Sequence, residues 1–217
     1  MGARYVGDIQ AICELVHPNA GIITAVGPQH LETFKSIERV IRTKFELADA
    51  VLPDGQLYVN LDYPEIAHHP ARQMAITYGT KADADFWAHD IRLSPTGASF
   101  SIRFPDRQTA RFSTRLLGEH QVQNLAAAIA VAYHMGVDLV DLRAKVAQIE
   151  PVEHRLQLVR TPQAIVIDDA YNANPQGARM ALATLAGFDG VRILVTPGMI
   201  ELGTSHETEN RDFGRRA

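Results

Sequence analysis

At 217 residues the chain is long enough for one large domain or two small ones, and 46% hydrophobic against 21% charged residues is ordinary for a soluble globular protein. The net charge of −4, with only four lysines among 21 basic residues, provides no global field favouring nucleic acid or a membrane surface. The single Cys13 excludes an intramolecular disulfide and a cysteine-based zinc cage, and no apolar run is long enough to span a bilayer, so a reducing, cytoplasmic setting is expected.

Residues 8–16 read as a short amphipathic helix with Ile9, Ile12, Cys13 and Val16 on one face, ended by Pro18 and Gly21. Residues 21–26 read as a buried strand closed by Gly27-Pro28. Ser36 is a candidate N-cap for a long helix carrying Ile37, Val40, Ile41, Lys44 and Leu47, with Lys35 in the loop before it. Residues 56–60 and 74–78 read as further strands. Strand, helix and strand at this spacing indicate a mostly parallel, doubly wound α/β sheet. From about Asp83 to Arg115 apolar and polar residues alternate around Pro95-Thr96-Gly97 and Pro105-Asp106, as in a small antiparallel sheet. Helices over 121–135 and 139–149 follow.

A domain boundary is expected near Glu150-Pro151, dividing the chain into residues 1–150 and 151–217. Beyond it the pattern suggests a fresh β-α-β series: strands at 156–159, 165–167 and 191–195 around a helix from Gln176, then a charged helix from about His206. Some 65 residues are marginal for a core of their own.

The densest cluster of polar chemistry is Asp168-Asp169-Ala170-Tyr171-Asn172-Ala173-Asn174-Pro175, after the β-branched run 165–167 and before a helix. Ligands of open α/β sheets bind in such strand-end crevices. Local capping by Asn174, with Pro175 in the first turn, accounts for half of the same residues. This run resembles the nucleotide-facing turn of the Mur ligases, and its Tyr-Asn-Ala-Asn form resembles the branch that adds D-Ala-D-Ala. The same resemblance extends in order through Met1-Gly2-Ala3-Arg4, Gly27-Pro28-Gln29-His30-Leu31-Glu32, Lys44, Gly118-Glu119-His120, Asn124-Leu125-Ala126, His154-Arg155-Leu156 and Met199-Ile200-Glu201-Leu202-Gly203.

The resemblance implies a partial Mur ligase central, ATP-hydrolysing domain over 1–150 and the start of a Rossmann-like C-terminal domain over 151–217. It implies ATP and Mg2+ as cofactors, with UDP-MurNAc-tripeptide and D-Ala-D-Ala as partners in a bacterial cytoplasm. By the same resemblance His30 is a magnesium ligand, although magnesium prefers oxygen. Lys44 corresponds to a lysine carbamylated by CO2; desolvation favours the neutral amine, and the two new oxygens suit a hard cation. Asn124 is expected to hold the adenine end, Arg155 the phosphates as a bidentate donor, and Asp169 the ribose or phosphate side. Asn172 and Asn174 shape the turn. Read without the resemblance, His30 is a loop histidine, Lys44 a helical lysine beside an acidic neighbour, and His120 with Asn124 a capping or packing pair. Two departures from the family pattern stand out: His120-Gln121 where His-Asn is common, and Pro197-Gly198-Met199 where Gly-Asp-Met is common.

A phosphate loop would end in Gly-Lys-Ser/Thr, yet none of Lys35, Lys44, Lys81 and Lys145 follows a glycine. In the family that loop precedes the Met-Gly-Ala segment. The expectation is a fragment without the N-terminal domain, the loop and most of the C-terminal domain, and therefore inactive alone. Two other readings remain: a short, non-catalytic nucleotide- or partner-binding module, and a folylpolyglutamate-synthase-like ligase.

Overall fold

The computed structural model describes every residue except Leu52, Asn172 and Glu201. Its centre is a six-stranded sheet in which strand order follows chain order: β1 (Ala20–Ile23), β2 (Gln56–Asn60), β3 (Ile76–Gly79), β4 (Phe86–Ser94), β5 (Gly97–Arg103) and β6 (Thr109–Thr114). The first four strands are parallel, and β4, β5 and β6 pair antiparallel. The alternating region is thus antiparallel as its pattern indicates, and continuous with the parallel strands.

Helices cover both faces. On one, α3 (Ile37–Val51) packs Val40, Phe45 and Ala48 with Leu57 and Val59 of β2. On the other, α5 (Glu119–His134) and α6 (Leu139–Gln148) pack with Tyr58, Tyr78, Phe86, Phe100 and Phe112. Successive β2 residues point to opposite faces, so Leu57, Tyr58 and Val59 are all buried. That accounts for an unbroken apolar run where a half-exposed strand would alternate. Each such side chain contributes about 1.5–3 kcal/mol by leaving water, and Phe100→Ala would cost about 3–5 kcal/mol.

Local chemistry sets the connections. At Gly97 (φ 140°) a Cβ would lie 1.9 Å from the Thr114 carbonyl oxygen, so only glycine passes the β4–β5 turn. Helix α1 (Asp8–Val16) buries Ile9 and Cys13 against α3 while Val16 stays exposed, so its apolar face is narrower than the sequence suggests. Strand β1 ends at Ile23, three residues early, because Thr24 to Gly27 leave the ladder while Val26 still reaches the core. A one-turn helix, α2 (Leu31–Phe34), occupies the loop before Lys35. Another, α4 (Pro64–Ala67), is followed by a 3-10 turn (Pro70–Met74), so the strand expected from residue 74 begins at Ile76. Prolines at the first helical positions favour both turns.

Past residue 150, β7 (Gln157–Arg160) and β8 (Ile165–Asp168) form an antiparallel hairpin, not the start of a β-α-β unit. Four residues connect them, and a parallel crossover needs a dozen or more. Helices α7 (Pro175–Ala186) and α8 (His206–Arg216) follow. The strand expected at 191–195 does not form: Val191 is 93% and Val195 90% exposed. A buried parallel strand needs neighbouring strands and helices over both faces, and no described residues supply them there. Among the described residues no helix is long and apolar enough to cross a membrane.

Candidate active site

At the carboxyl ends of β1, β2 and β3 the chain is tied together by hydrogen bonds. Asn60, 2% exposed at the end of β2, donates from Nδ2 to the Thr24 carbonyl at 3.1 Å and to Gln123 Oε1 at 3.4 Å. These bonds hold the first turns of α5 over the strand ends. The buried Tyr78 hydroxyl donates to the Ile23 carbonyl at 3.4 Å, and burial pushes that phenol upward. Asp62 accepts from the Thr80 amide at 2.9 Å and from its hydroxyl at 3.0 Å.

Helix α7 approaches these strand ends from the C-terminal side. Gln176 Nε2 donates to the Tyr63 hydroxyl at 3.0 Å, and a Cβ on Gly27 would sit 3.5 Å from Gln176 Oε1. Asn174 caps α7 by accepting from the Gly177 amide at 2.9 Å, with Pro175 in the first turn, so the capping half of the motif is realised.

His30 is half-buried at the entry to α2 in a left-handed conformation (φ 49°). Lys44 is half-buried on α3, and desolvation pulls its amine below the usual lysine range. It lines a small cavity with Gln29, the neighbour of His30, so the fold brings the His30 loop and Lys44 to one place.

Around the start of α5, Asn124 is exposed and donates to Gln121 Oε1 at 3.4 Å. His120 is half-buried, with an Nδ1 that finds no partner, and burial lowers its pKa. Its ring lies over Gly118, where a Cβ would meet Cε1 at 2.8 Å and the Thr184 hydroxyl of α7 at 3.3 Å. His120 therefore packs at the junction while Asn124, one turn on, faces solvent.

The third group surrounds β8. Asp169 Oδ1 accepts from the Leu156 amide at 3.1 Å, and partial burial raises its pKa. The Arg155 guanidinium lies 3.9 Å above the Tyr171 ring. His154 and Asp168 pair at 2.8 Å, and that bond holds the Asp168 carboxyl below the usual range. Arg155 and Asp169 thus flank one corner, separate from the Lys44 cavity. Asn172 and Glu201 lie outside the described residues. Sequence reading missed Asn60, Tyr63, Gln176 and Thr43. The first had a signal, an amide ending a buried strand; the others depend on what packs against them.

Residues 1–132 match the Mur ligase middle domain. The chain belongs to that family. Two curated relatives named UDP-N-acetylmuramoyl-tripeptide--D-alanyl-D-alanine ligase show the extent of the likeness. The Haemophilus influenzae protein is 32% identical across 99% of this chain and 47% of its own length. The Mycobacterium tuberculosis (H37Rv) protein is 35% identical across 100% of this chain and 44% of its own length. A crystal structure of MurF from Acinetobacter baumannii superposes with a TM-score of 0.90 at 30% identity, over 99% of this chain and 48% of that one. The chain spans about half the length of the curated relatives it matches.

The described residues contain no group of three or more His, Cys, Asp or Glu able to hold a metal ion.

Proposed function

We propose that this chain is the middle portion of an ATP-dependent amide-forming ligase of peptidoglycan precursor synthesis, adding D-Ala-D-Ala to UDP-MurNAc-tripeptide in the bacterial cytoplasm. The supporting observation is identity of 30–35% along the whole chain to ligases of that name. The complete enzyme would phosphorylate the tripeptide's terminal carboxylate from ATP. The D-Ala-D-Ala amine then attacks the acyl phosphate, and the tetrahedral intermediate loses phosphate to leave the amide. Positioning and charge neutralisation lower such barriers.

In this reading Arg155 donates two parallel N–H bonds to phosphate oxygens, leaving its contact with Tyr171. Asn124 meets the adenine edge from the exposed face of α5. Asp169 accepts from the ribose, and Asn174 holds the start of α7 that follows it. His30 and carbamylated Lys44 would hold Mg2+, which when bound neutralises phosphate charge. Residues 151–217 would begin the Rossmann-like C-terminal domain, docked through Gln176 and Tyr63.

The second reading is a module that binds nucleotide without turning it over. A chimera separates the two. Residues 1–217 replace the matching half of the Haemophilus influenzae ligase, and D-Ala-D-Ala-dependent phosphate release is measured. Turnover by the chimera and none by the chain alone is the expected result. A folded chimera that binds ATP but releases no phosphate would favour the module.

A further inference from the structure

Two polar groups without partners line one cavity beside the His30 loop. Thr43 is fully buried (0% exposed), and its Oγ1 makes no hydrogen bond. A threonine inside a helix commonly returns its hydroxyl to the carbonyl four residues earlier; Thr43 does not. Lys44, half-buried next to it, makes no hydrogen bond or ion pair among the described residues. Both line a cavity of about 20 Å3 with Gln29, Ala3, Phe34 and Val40. That is room for one or two small polar atoms and far too little for a nucleotide.

Burying the Thr43 hydroxyl without a partner is penalised, and the half-buried Lys44 amine, also without a partner, is partly desolvated. One small acceptor bonded to the lysine would satisfy both. We propose that Thr43 is a positioning residue for a carbamate on Lys44, its hydroxyl donating to one carbamate oxygen; this rests on the reading of Lys44 given above. In the reaction the lone pair of neutral Nζ attacks the carbon of CO2. A N–C bond forms, one C–O π bond breaks to leave an oxyanion, and a proton passes from nitrogen to water. The Thr43 hydrogen bond then fixes rotation about the new N–C bond and leaves the second oxygen free to act as a ligand. An ordered water is the competing occupant, and it would make the cavity indifferent to CO2.

The test uses the 217-residue chain with 13C-labelled bicarbonate, read by NMR and by thermal unfolding with and without CO2. A carbamate resonance in wild type that disappears in Lys44→Met establishes the modification. Thr43→Val, nearly the same shape, should then need about tenfold more CO2 for half-occupancy, and Thr43→Ser should behave like wild type. At one CO2 concentration wild type should gain more thermal stability than Thr43→Val, which starts as the more stable of the two because it buries no unpaired hydroxyl. Equal CO2 dependence in wild type and Thr43→Val overturns the role of Thr43 and leaves the carbamate standing. No Lys44-dependent resonance in wild type overturns both.

Discussion

Glu46 caps a helix to which it does not belong: from α3 its Oε1 accepts the Gly7 amide of α1 at 2.8 Å. Its Oε2 takes the Gln10 amide at 3.0 Å. Gly7, at φ 94° with no side chain, supplies no cap itself, so the orphan amides and the positive end of the α1 dipole are satisfied across the helix pair. Glu46→Ala should lower unfolding stability by about 1–2 kcal/mol, with Glu46→Gln intermediate. Urea unfolding checks this; no change in midpoint would mean that water caps α1 equally well.

The bond between Gln176 and Tyr63 is the side-chain link between α7 and the strand-end loops. Gln176→Ala and Tyr63→Phe should each loosen α7, and the double variant should cost less than their sum. A coupling of about 1 kcal/mol is expected for one partly buried hydrogen bond. Limited proteolysis near residue 190 should accelerate in both single variants and no further in the double. Strict additivity would show that the bond does not hold the helix.

His120 makes the fold sensitive to acid. Burial lowers its pKa from the ordinary 6.5, so below that value the unfolded chain binds a proton that the folded ring refuses. Stability therefore falls as pH drops from 6.5 towards the lowered folded value. Replacing His120 by Gln should reduce the difference between urea midpoints at about pH 7.5 and about pH 5.5. An unchanged difference would put the acid sensitivity elsewhere.

Asp169 behaves in the opposite sense. Its folded pKa is raised above 3.8 by burial, so the favourable contribution exists below 3.8 and is lost as pH rises through the folded value. At neutral pH the carboxylate carries a desolvation cost that the Leu156 amide only partly offsets. Asp169→Asn keeps an acceptor for that amide and should be at least as stable as wild type at pH 7, the advantage disappearing in acid. In the chimera the same substitution should weaken ATP binding. A large loss of stability at pH 7 would mean that the charge itself holds the β7–β8 corner.

The parallel sheet, its covering helices, the antiparallel continuation and the ligase-like turn were legible along the chain, because each is a local pattern. A continuous apolar run marks β2, alternation marks β5 and β6, and Asn174-Pro175 marks the start of α7. The motifs carrying His30, Lys44, Arg155 and Asp169 were readable for the same reason: contiguous residues hold them. The strand expected at 191–195 failed because apolar composition gives a segment the capacity for a strand, while the neighbouring strands that would make it one lie outside its sequence. The strands expected at 156–159 and 165–167 do form, and their four-residue link fits the antiparallel pairing.

What the sequence by itself determined is therefore the order and type of most elements and the chemistry available at each strand end. The tertiary structure alone decided that Glu46 caps α1, that Gln176 meets Tyr63, and that Thr43 and Lys44 share a cavity with Gln29. The physical reason is range. Propensity, periodicity and capping act over a few residues, whereas desolvation and hydrogen-bond satisfaction depend on whatever the folded chain brings alongside.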